Sequence, residues 1–171
     1  MERLLNSETL DLLGTTFAGV SILLVFYQIR KNLKWNQKKC AEEALTRFSS
    51  GDFFKYIHIL ESDFKWDILK EDVNYGDIIK NLDGNKRREL DDILKDIFRY
   101  LETITIKIEH GVIDEEVCFD YLFSVLTNLH IKCEQFVKNI REKRKEPRMY
   151  EHVSLYGDKW HKRCLKESKA C

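Results

Sequence analysis

The chain has 171 residues, with 29 basic and 29 acidic side chains and a formal net charge of zero. Because nucleic-acid-binding surfaces are usually strongly basic, this balance does not favour specific nucleic-acid binding. The single proline, Pro147, and only seven glycines leave few helix breakers, and apolar residues recur at helical spacing along most of the chain. The sequence therefore predicts an all-α protein.

The first predicted element is an uncharged run from Leu12 to Tyr27. At about 1.5 Å per residue it is roughly 24 Å long, or roughly 27 Å if it extends to Ile29, slightly less than a hydrocarbon core of about 30 Å. A helix of a soluble core usually has one apolar stripe, whereas this run is apolar nearly all round and lacks the basic start of a cleaved signal peptide. It predicts an N-terminal transmembrane anchor over residues 1–29. A buried helix of a soluble core is the alternative.

The charges that flank this run predict its orientation. Arg3 precedes it together with three acidic residues, whereas six basic residues follow it before Ser50, against Glu42 and Glu43. Since positive charge is retained on the cytoplasmic side, the amino terminus should be outside and the rest of the chain cytoplasmic, as in a single-pass membrane protein. The odd number of cysteines, without metal or redox spacing, agrees with a reducing compartment. Residues 30–50 form a basic juxtamembrane extension predicted to contact membrane lipid through Arg30, Lys31, Lys34, Lys38 and Lys39.

One face of the predicted span carries small and polar side chains. It consists of residues that step by four and three along the helix: Asp11, Gly14, Ala18, Ser21, Val25 and Gln28. In lipid, small and hydroxyl side chains allow two helices to approach closely. The face is therefore either the seam of a homo-oligomer or the lining of a small pore, or it belongs to a lone anchor that tolerates small residues anywhere. Asp11 is either part of an ion path or a solvated group at the membrane rim.

The remaining elements are predicted to be helices. The membrane helix should continue unbroken to Phe48 and end at Ser49-Ser50-Gly51, and a second helix should run from its cap Asp52 to about Trp66. A looser connection over 67–84 should contain one short helix around Tyr75 to Leu82.

Two apolar seams in the second half of the chain predict an antiparallel helix hairpin. The first seam runs from Leu90 to Ile108 and stops at Gly111, and the second runs from Phe119 to Ile140 after its cap Asp114. Pro147 should close the second helix. A last amphipathic helix is predicted from Met149 to Lys166, packed on the hairpin through Tyr150, Val153, Tyr156, Gly157, Trp160 and Leu165. Residues 51–171 are thus predicted to form one cytoplasmic helical bundle.

No catalytic or phosphate-binding motif is present. We therefore predict no enzymatic activity, no cofactor and no small-molecule substrate. His161 and Cys164 share a helical face and would bind zinc only with further ligands such as His152 or Cys171; a surface histidine and a semi-buried thiol are the ordinary interpretation. Glu102, with His110 later on the same helix, is the other chemical candidate, although a carboxylate at the edge of an apolar seam usually pairs with lysine or arginine.

A second basic patch lies at the end of the hairpin, at Arg141, Lys143, Arg144 and Lys145. It is interpreted either as a partner-binding surface or as the solvated end of a helix.

Several local patterns resemble one family. Tyr100-Leu101-Glu102, the turn from Gly111 to Glu116, the basic helix end at Arg141 to Lys145 and the segment from Tyr150 to Trp160 resemble small bacterial single-pass membrane proteins catalogued as a domain of unknown function. The resemblance extends from the span through Trp160 and carries over no catalytic residue. It implies a bacterial inner-membrane protein and suggests, by analogy, an accessory or effector component of stress and phage-defence loci.

From these features we predict a non-enzymatic, membrane-anchored protein whose helical domain docks or senses a cytoplasmic protein partner. The alternative is a self-associating membrane effector, in antiviral defence or stress, that perturbs membrane integrity through its transmembrane helix.

Overall fold

A computed structural model describes residues 2–68 and 73–167, with side chains described except at residues 2–15, 47–50 and 52. In this described part the chain contains seven α-helices and no strand, which confirms the predicted all-α class. The helices are α1 (Glu2–Ser50), α2 (Asp52–Ser62), α3 (Tyr75–Lys80), α4 (Gly84–Glu109), α5 (Glu115–Lys132), α6 (Glu134–Arg144) and α7 (Glu151–Glu167).

Helix α1 is continuous over 49 residues, so the predicted unbroken helix is confirmed and begins earlier than the apolar run. Its last third packs on the bundle. Gln37 Nε2 donates to Gly111 O at 2.7 Å, and Tyr100 Oη donates to Ala44 O at 2.9 Å. Because Gln37 lies beside the end of α4 and Ala44 lies beside its middle, α1 and α4 run antiparallel.

Helix α2 is shorter than predicted. It ends at Ser62 rather than near Trp66, and Gly51, not Asp52, occupies its N-cap. Lys65 adopts a left-handed backbone with φ of 51°. This turn places Trp66 in the loop with its ring fully buried and its Nε1 donating to Val73 O at 3.0 Å. The apolar residue that suggested a longer helix therefore fills the core from a loop.

The predicted stop of α4 and start of α5 are confirmed, but the two helices pack mainly on α7 rather than on each other as the predicted hairpin requires. Gly111 has φ of +64°, the left-handed conformation that glycine adopts without strain. The Asp114 carboxylate accepts from Val117 N at 3.2 Å and caps α5. At the other end of the hairpin, the Asp83 carboxylate accepts from Asn85 N and Lys86 N and caps α4.

The second hairpin helix is not one helix as predicted, because it breaks at Cys133 between α5 and α6. The break lets α5 pack along α7 while α6 packs on α3. Lys132, buried beside the break, donates from Nζ to Ile68 O at 2.7 Å. Helix α6 ends at Arg144 with Lys145 as its C-cap, and because Lys145 has φ of 56°, a left-handed residue rather than Pro147 terminates the helix.

Helix α7 completes the core. Val153 and Trp160 are fully buried, and Tyr150, Tyr156 and Gly157 are buried beside them, as predicted. Leu165 is 48% exposed, so it is less buried than the other predicted packing residues of α7. The Trp160 Nε1 donates to Glu115 Oε1 at 3.0 Å, and the Phe119 and Trp160 rings pack edge to face. These contacts join the end of α7 to the start of α5, so the two helices are antiparallel.

Candidate functional site

The described part of α1 that precedes the bundle, residues 16–36, has exposed side chains throughout. Every described side chain from Thr16 to Asn36 is exposed, including Phe17 at 71% and Leu23 at 69%. The consecutive residues Ile22 to Tyr27 are all large, apolar or aromatic, and all at least half exposed. Because consecutive helical residues point about 100° apart, this exposure extends around the whole helix rather than along one stripe.

The predicted span extends beyond the described side chains. Its first part, Leu12 to Thr15, and the predicted face residues Asp11 and Gly14 lie outside them. Within the described residues, no helix has a stretch that is both long enough and apolar enough to qualify as a membrane span.

The described members of the predicted small-residue face all lie exposed on α1. Ala18, Ser21, Val25 and Gln28 are uncovered by the bundle. The Ser21 hydroxyl donates to Phe17 O at 2.8 Å, within its own helix. This face is therefore available to another helix, and its hydroxyl is already satisfied without one.

The predicted juxtamembrane residues are also exposed. Arg30, Lys31, Lys34 and Lys38 form no ion pair with any residue whose side chain is described. Lys39 lies 4.0 Å from Glu43 and 5.6 Å from the centre of the Trp35 ring. Arg30, Lys31 and Lys34 thus lie between the apolar run and the first contact with the bundle at Gln37, and Lys38 and Lys39 directly follow that contact.

The predicted second basic patch does not form one surface. Arg141 turns inwards, where its guanidinium donates to Met149 O at 2.8 Å and to Ser154 Oγ at 3.2 Å. Lys143 instead lines a cleft on the opposite side of α6 together with Arg87 and Arg88. Arg144 and Lys145 are exposed at the helix end. Sequence reasoning missed Arg87 and Arg88, whose proximity to Lys143 depends on how α4 packs beside α6.

Glu102 holds the beginning of α7. Its side chain is 17% exposed, and its carboxylate accepts from Val153 N at 2.9 Å and from His152 N at 3.3 Å. The His152 Nδ1 lies 3.0 Å from the same carboxylate. A carboxylate at this position satisfies two free N–H groups of a helix N-terminus and complements its dipole. Its partners are thus a histidine and the backbone rather than the expected lysine or arginine.

The other predicted chemical residues are not brought together. His161 is exposed, Cys164 is half-buried, His152 lies at the opposite end of α7, and Cys171 is outside the described residues. Within the described part of the chain, no three histidine, cysteine or carboxylate side chains are grouped as metal ligands. Burial raises the pKa of the Cys118 thiol to about 12 and also raises that of Cys133. Both thiols therefore stay protonated at neutral pH and serve as core residues.

The geometry defines an all-α bundle that carries a long, partly uncovered amino-terminal helix. Residues 15–160 match the family model DUF4760, described as a domain of unknown function, and the chain belongs to this family. The match covers nearly the same residues as the resemblance seen in the sequence, and the family's description assigns it no function, as expected. No curated protein matches the chain. No solved structure matches it either.

Proposed function

We propose that the protein is a non-enzymatic interaction protein that is anchored by α1 in the bacterial inner membrane and docks a protein partner through its cytoplasmic bundle. The observation that carries this proposal is the uncovered apolar part of α1. Large apolar side chains exposed on every side of a helix are rare on monomeric proteins in water, and they indicate a surface that is buried in a membrane or a partner.

The sequence around this segment supports a bilayer as the environment. No Asp, Glu, Lys or Arg occurs between Leu12 and Ile29. The cluster of exposed cations begins immediately afterwards, at Arg30 and Lys31. Cations at this position reach the headgroups, and each basic group near an anionic leaflet contributes about 1 kcal/mol to binding.

Because α1 is also part of the core, the bundle should lie at a fixed distance from the apolar segment of that helix. Ala41 is fully buried and Leu45 is 5% exposed, so the same helix that carries the apolar segment also belongs to the core. An interval of about eight residues separates Ile29 from Gln37, roughly 12 Å along a helix. The hairpin turn at Gly111 would therefore lie near the membrane surface, with the rest of the bundle extending into the cytoplasm.

The topology can be tested with a tag at the carboxyl terminus in membranes from expressing bacteria. Protease added to inside-out vesicles should remove the tag, and protease added to intact spheroplasts should leave it in place. Removal of the tag from spheroplasts and protection in inside-out vesicles would contradict the proposed orientation.

The docking role can be tested by chemical crosslinking in intact membranes before purification. The proposal predicts a crosslinked species of defined stoichiometry that contains the chain and one protein partner, or several copies of the chain. A chain recovered solely as a monomer at every crosslinker concentration would count against an interaction function.

A second candidate is a self-associating membrane effector, favoured by the uncovered face of Ala18, Ser21 and Val25. If this face joins copies of the chain, replacing Gly14, Ala18 and Ser21 with leucine should abolish any toxicity on overexpression. Replacing Val20, on another side of α1, with leucine should leave toxicity unchanged. Equal toxicity of both variants and the original chain would exclude this alternative.

A further inference from the structure

A cleft of about 450 Å³ lies where the start of α4 meets α6 and α3. Its volume falls in the range of small-molecule sites, roughly 300–1,000 Å³. Four of the lining residues are cationic and one is acidic: Arg87, Arg88, Lys95, Lys143 and Asp91. The cleft is thus a positively charged concavity in a chain whose total charge is zero.

The charges in this cleft are unevenly paired. Lys95 Nζ lies 2.6 Å from Asp92, so its charge is locally balanced. Asp91 accepts a hydrogen bond from the Tyr75 hydroxyl at 2.6 Å. Arg87, Arg88 and Lys143 have no ion pair with any residue that the structure describes. Three cations against one carboxylate leave an excess of positive charge facing the same space.

Rigid elements hold these cations in place. Arg87 and Arg88 project from the first turns of α4, a helix of 26 residues anchored by its buried Leu90 and Leu94. Lys143 projects from α6, which is fixed to the core by the ring contacts of Phe136 with Tyr75 and Phe98. Because Asp83 already accepts from the first backbone N–H groups of α4, the positive character of the cleft comes from side chains.

We propose that this cleft binds a small, soluble, phosphate-bearing anion, with Arg87, Arg88 and Lys143 as the residues that contact its phosphate groups. Guanidinium groups bind phosphate oxygens in a bidentate manner, and a lysine adds a point charge. The ligand acts as an effector of the bundle and undergoes no reaction there. This assignment adds a small-molecule ligand to a protein for which the sequence predicted none.

The position of the cleft favours a soluble source over a lipid headgroup. Gly111, at the far end of α4, contacts Gln37 of α1, whereas the cleft is lined by the first half of α4, from Gly84 to Lys95, roughly 24–40 Å away along the helix. If α1 lies in the membrane as proposed above, the cleft faces the cytoplasm at the distal end of the bundle. The choice of a soluble anion over a lipid headgroup rests on that proposal. The existence of the cleft and its charges does not.

Inorganic pyrophosphate is a suitable probe for calorimetric titration of the full chain in an uncharged detergent at low ionic strength. The proposal predicts saturable binding that weakens as salt is added, because salt screens charge attraction. Replacing both Arg88 and Lys143 with glutamine should weaken binding at least about tenfold for each lost charged contact. Lys162→Gln, on the exposed side of α7 away from the cleft, should bind as the original chain does. Absence of saturable binding would overturn the proposal.

Gly84 provides a test that removes no existing contact. It lines the cleft, and a Cβ placed there would meet no atom within 4 Å. Gly84→Glu would add a carboxylate at the mouth of the cleft, in the first turn of α4, where an acidic residue suits the helix dipole. Its pyrophosphate affinity should fall about tenfold or more, whereas the neutral Gly84→Gln should stay within about twofold of the original chain. Equal affinities for these two variants would overturn the electrostatic site.

Vesicles distinguish the source of the phosphate. The Arg88→Gln/Lys143→Gln chain should float with vesicles of phosphatidylcholine and phosphatidylglycerol as well as the original chain does. A loss of flotation in this variant, or pyrophosphate binding that appears only when phosphatidylglycerol is present, would assign the cleft to lipid and overturn the proposal. Failure of the original chain to float, with pyrophosphate binding intact, would contradict the membrane anchor alone.

Discussion

At the scale of single residues, the described bundle depends on a few contacts between elements distant in sequence. Glu102 of α4 satisfies the first N–H groups of α7, and the Glu115 carboxylate accepts from both Trp160 and Lys159 of the same helix. Each of these carboxylates interacts with an α7 group that would otherwise be left without a partner. Such contacts orient α7 on the hairpin, beyond what apolar burial alone specifies.

Replacing Glu102 with alanine should destabilise the fold. The substitution leaves the N–H groups of His152 and Val153 partly buried without an acceptor, at a cost of about 1–3 kcal/mol in the free energy of unfolding. Urea unfolding followed by circular dichroism measures this loss. Glu142→Ala, in which the lost carboxylate is exposed on α6, should change stability by less than about 0.5 kcal/mol. Similar losses in both variants would show that Glu102 is not a specific cap.

Gly157 permits the close approach of α7 to α5. A Cβ at this position would lie 2.5 Å from His130 Cγ and 2.7 Å from His130 Cβ, atoms near the backbone of α5 that cannot move independently. Gly157→Ala should therefore lower the free energy of unfolding by about 1 kcal/mol or more, even though alanine favours a helix by up to about 1 kcal/mol. Thermal unfolding provides the measurement.

Gly76→Ala is the matched control for this prediction. A Cβ there would meet mainly the amide end of the Gln135 side chain, which is flexible and close to solvent, so the neighbour can move at little cost. Its stability should be equal to or greater than that of the original chain. If Gly157→Ala also left the stability unchanged, α5 and α7 would not be in close contact at this position in solution.

At the scale of elements, α1 has two parts that differ in burial. The part after Gln37 is a core helix, with Leu45 only 5% exposed, and residues 16–36 before it are uncovered, with Leu33 57% exposed. One unbroken helix therefore contains both a segment that is buried in the core and a segment that the bundle leaves exposed.

This division predicts that the same substitution destabilises the bundle at one position of α1 and leaves its stability unchanged at another. Leu45→Ala removes buried apolar volume and should lower the free energy of unfolding of the bundle by about 2–5 kcal/mol. Leu33→Ala removes an exposed side chain and should change it by less than about 0.5 kcal/mol. Urea unfolding in detergent, monitored by near-ultraviolet circular dichroism of the buried tryptophans, compares the two variants. A comparable loss for Leu33→Ala would mean that the uncovered part also packs on the bundle.

The elements that the sequence predicted correctly are those with local signals. Gly111 and Asp114 mark the hairpin because one needs a left-handed backbone and the other caps a helix, and both effects involve neighbours within a few residues. The break at Cys133 has no such signal, since the apolar spacing continues across it and the bend depends on packing against α3 and α7. The loop position of Trp66 was missed for the same reason.

The candidate sites also divide into those formed by neighbouring residues in the sequence and those formed by tertiary packing. The apolar run and its flanking cations are contiguous, so the sequence alone places them together, and the anchor and lipid contacts inferred from them stay a prediction. The cationic cleft joins Arg87 and Arg88 to Lys143, and Glu102 meets α7 some fifty residues later in the chain. These proximities result from tertiary packing, which residue spacing does not encode.

At the scale of the whole molecule, the apolar segment of α1 and the cationic cleft lie near opposite ends of α4. The hairpin turn at Gly111 lies beside Gln37, next to the uncovered cations and the apolar segment, and the cationic cleft lies at the opposite end of α4. We propose that the first end faces the membrane and the second faces the cytoplasm. A soluble anion bound at the distal end would then be positioned to influence partner docking by the same bundle.

The central claim, that the apolar part of α1 is buried in a bilayer, predicts how charge affects membrane attachment. A charged residue near the centre of a membrane helix costs about 2.5–3.5 kcal/mol on insertion scales. The double variant Val20→Lys/Leu23→Lys should therefore attach far more weakly. Leu33→Lys, equally exposed on α1 but beyond the apolar run, should attach as the original chain does.

Flotation of the full chain with vesicles of phosphatidylcholine and phosphatidylglycerol, followed by extraction at alkaline pH, tests this claim most directly. The original chain and Leu33→Lys should float and remain with the vesicles after extraction, and the Val20→Lys/Leu23→Lys chain should stay in the dense fraction. If the original chain is released by alkaline extraction, or if the double lysine variant remains attached as firmly as the original, α1 is not a membrane anchor.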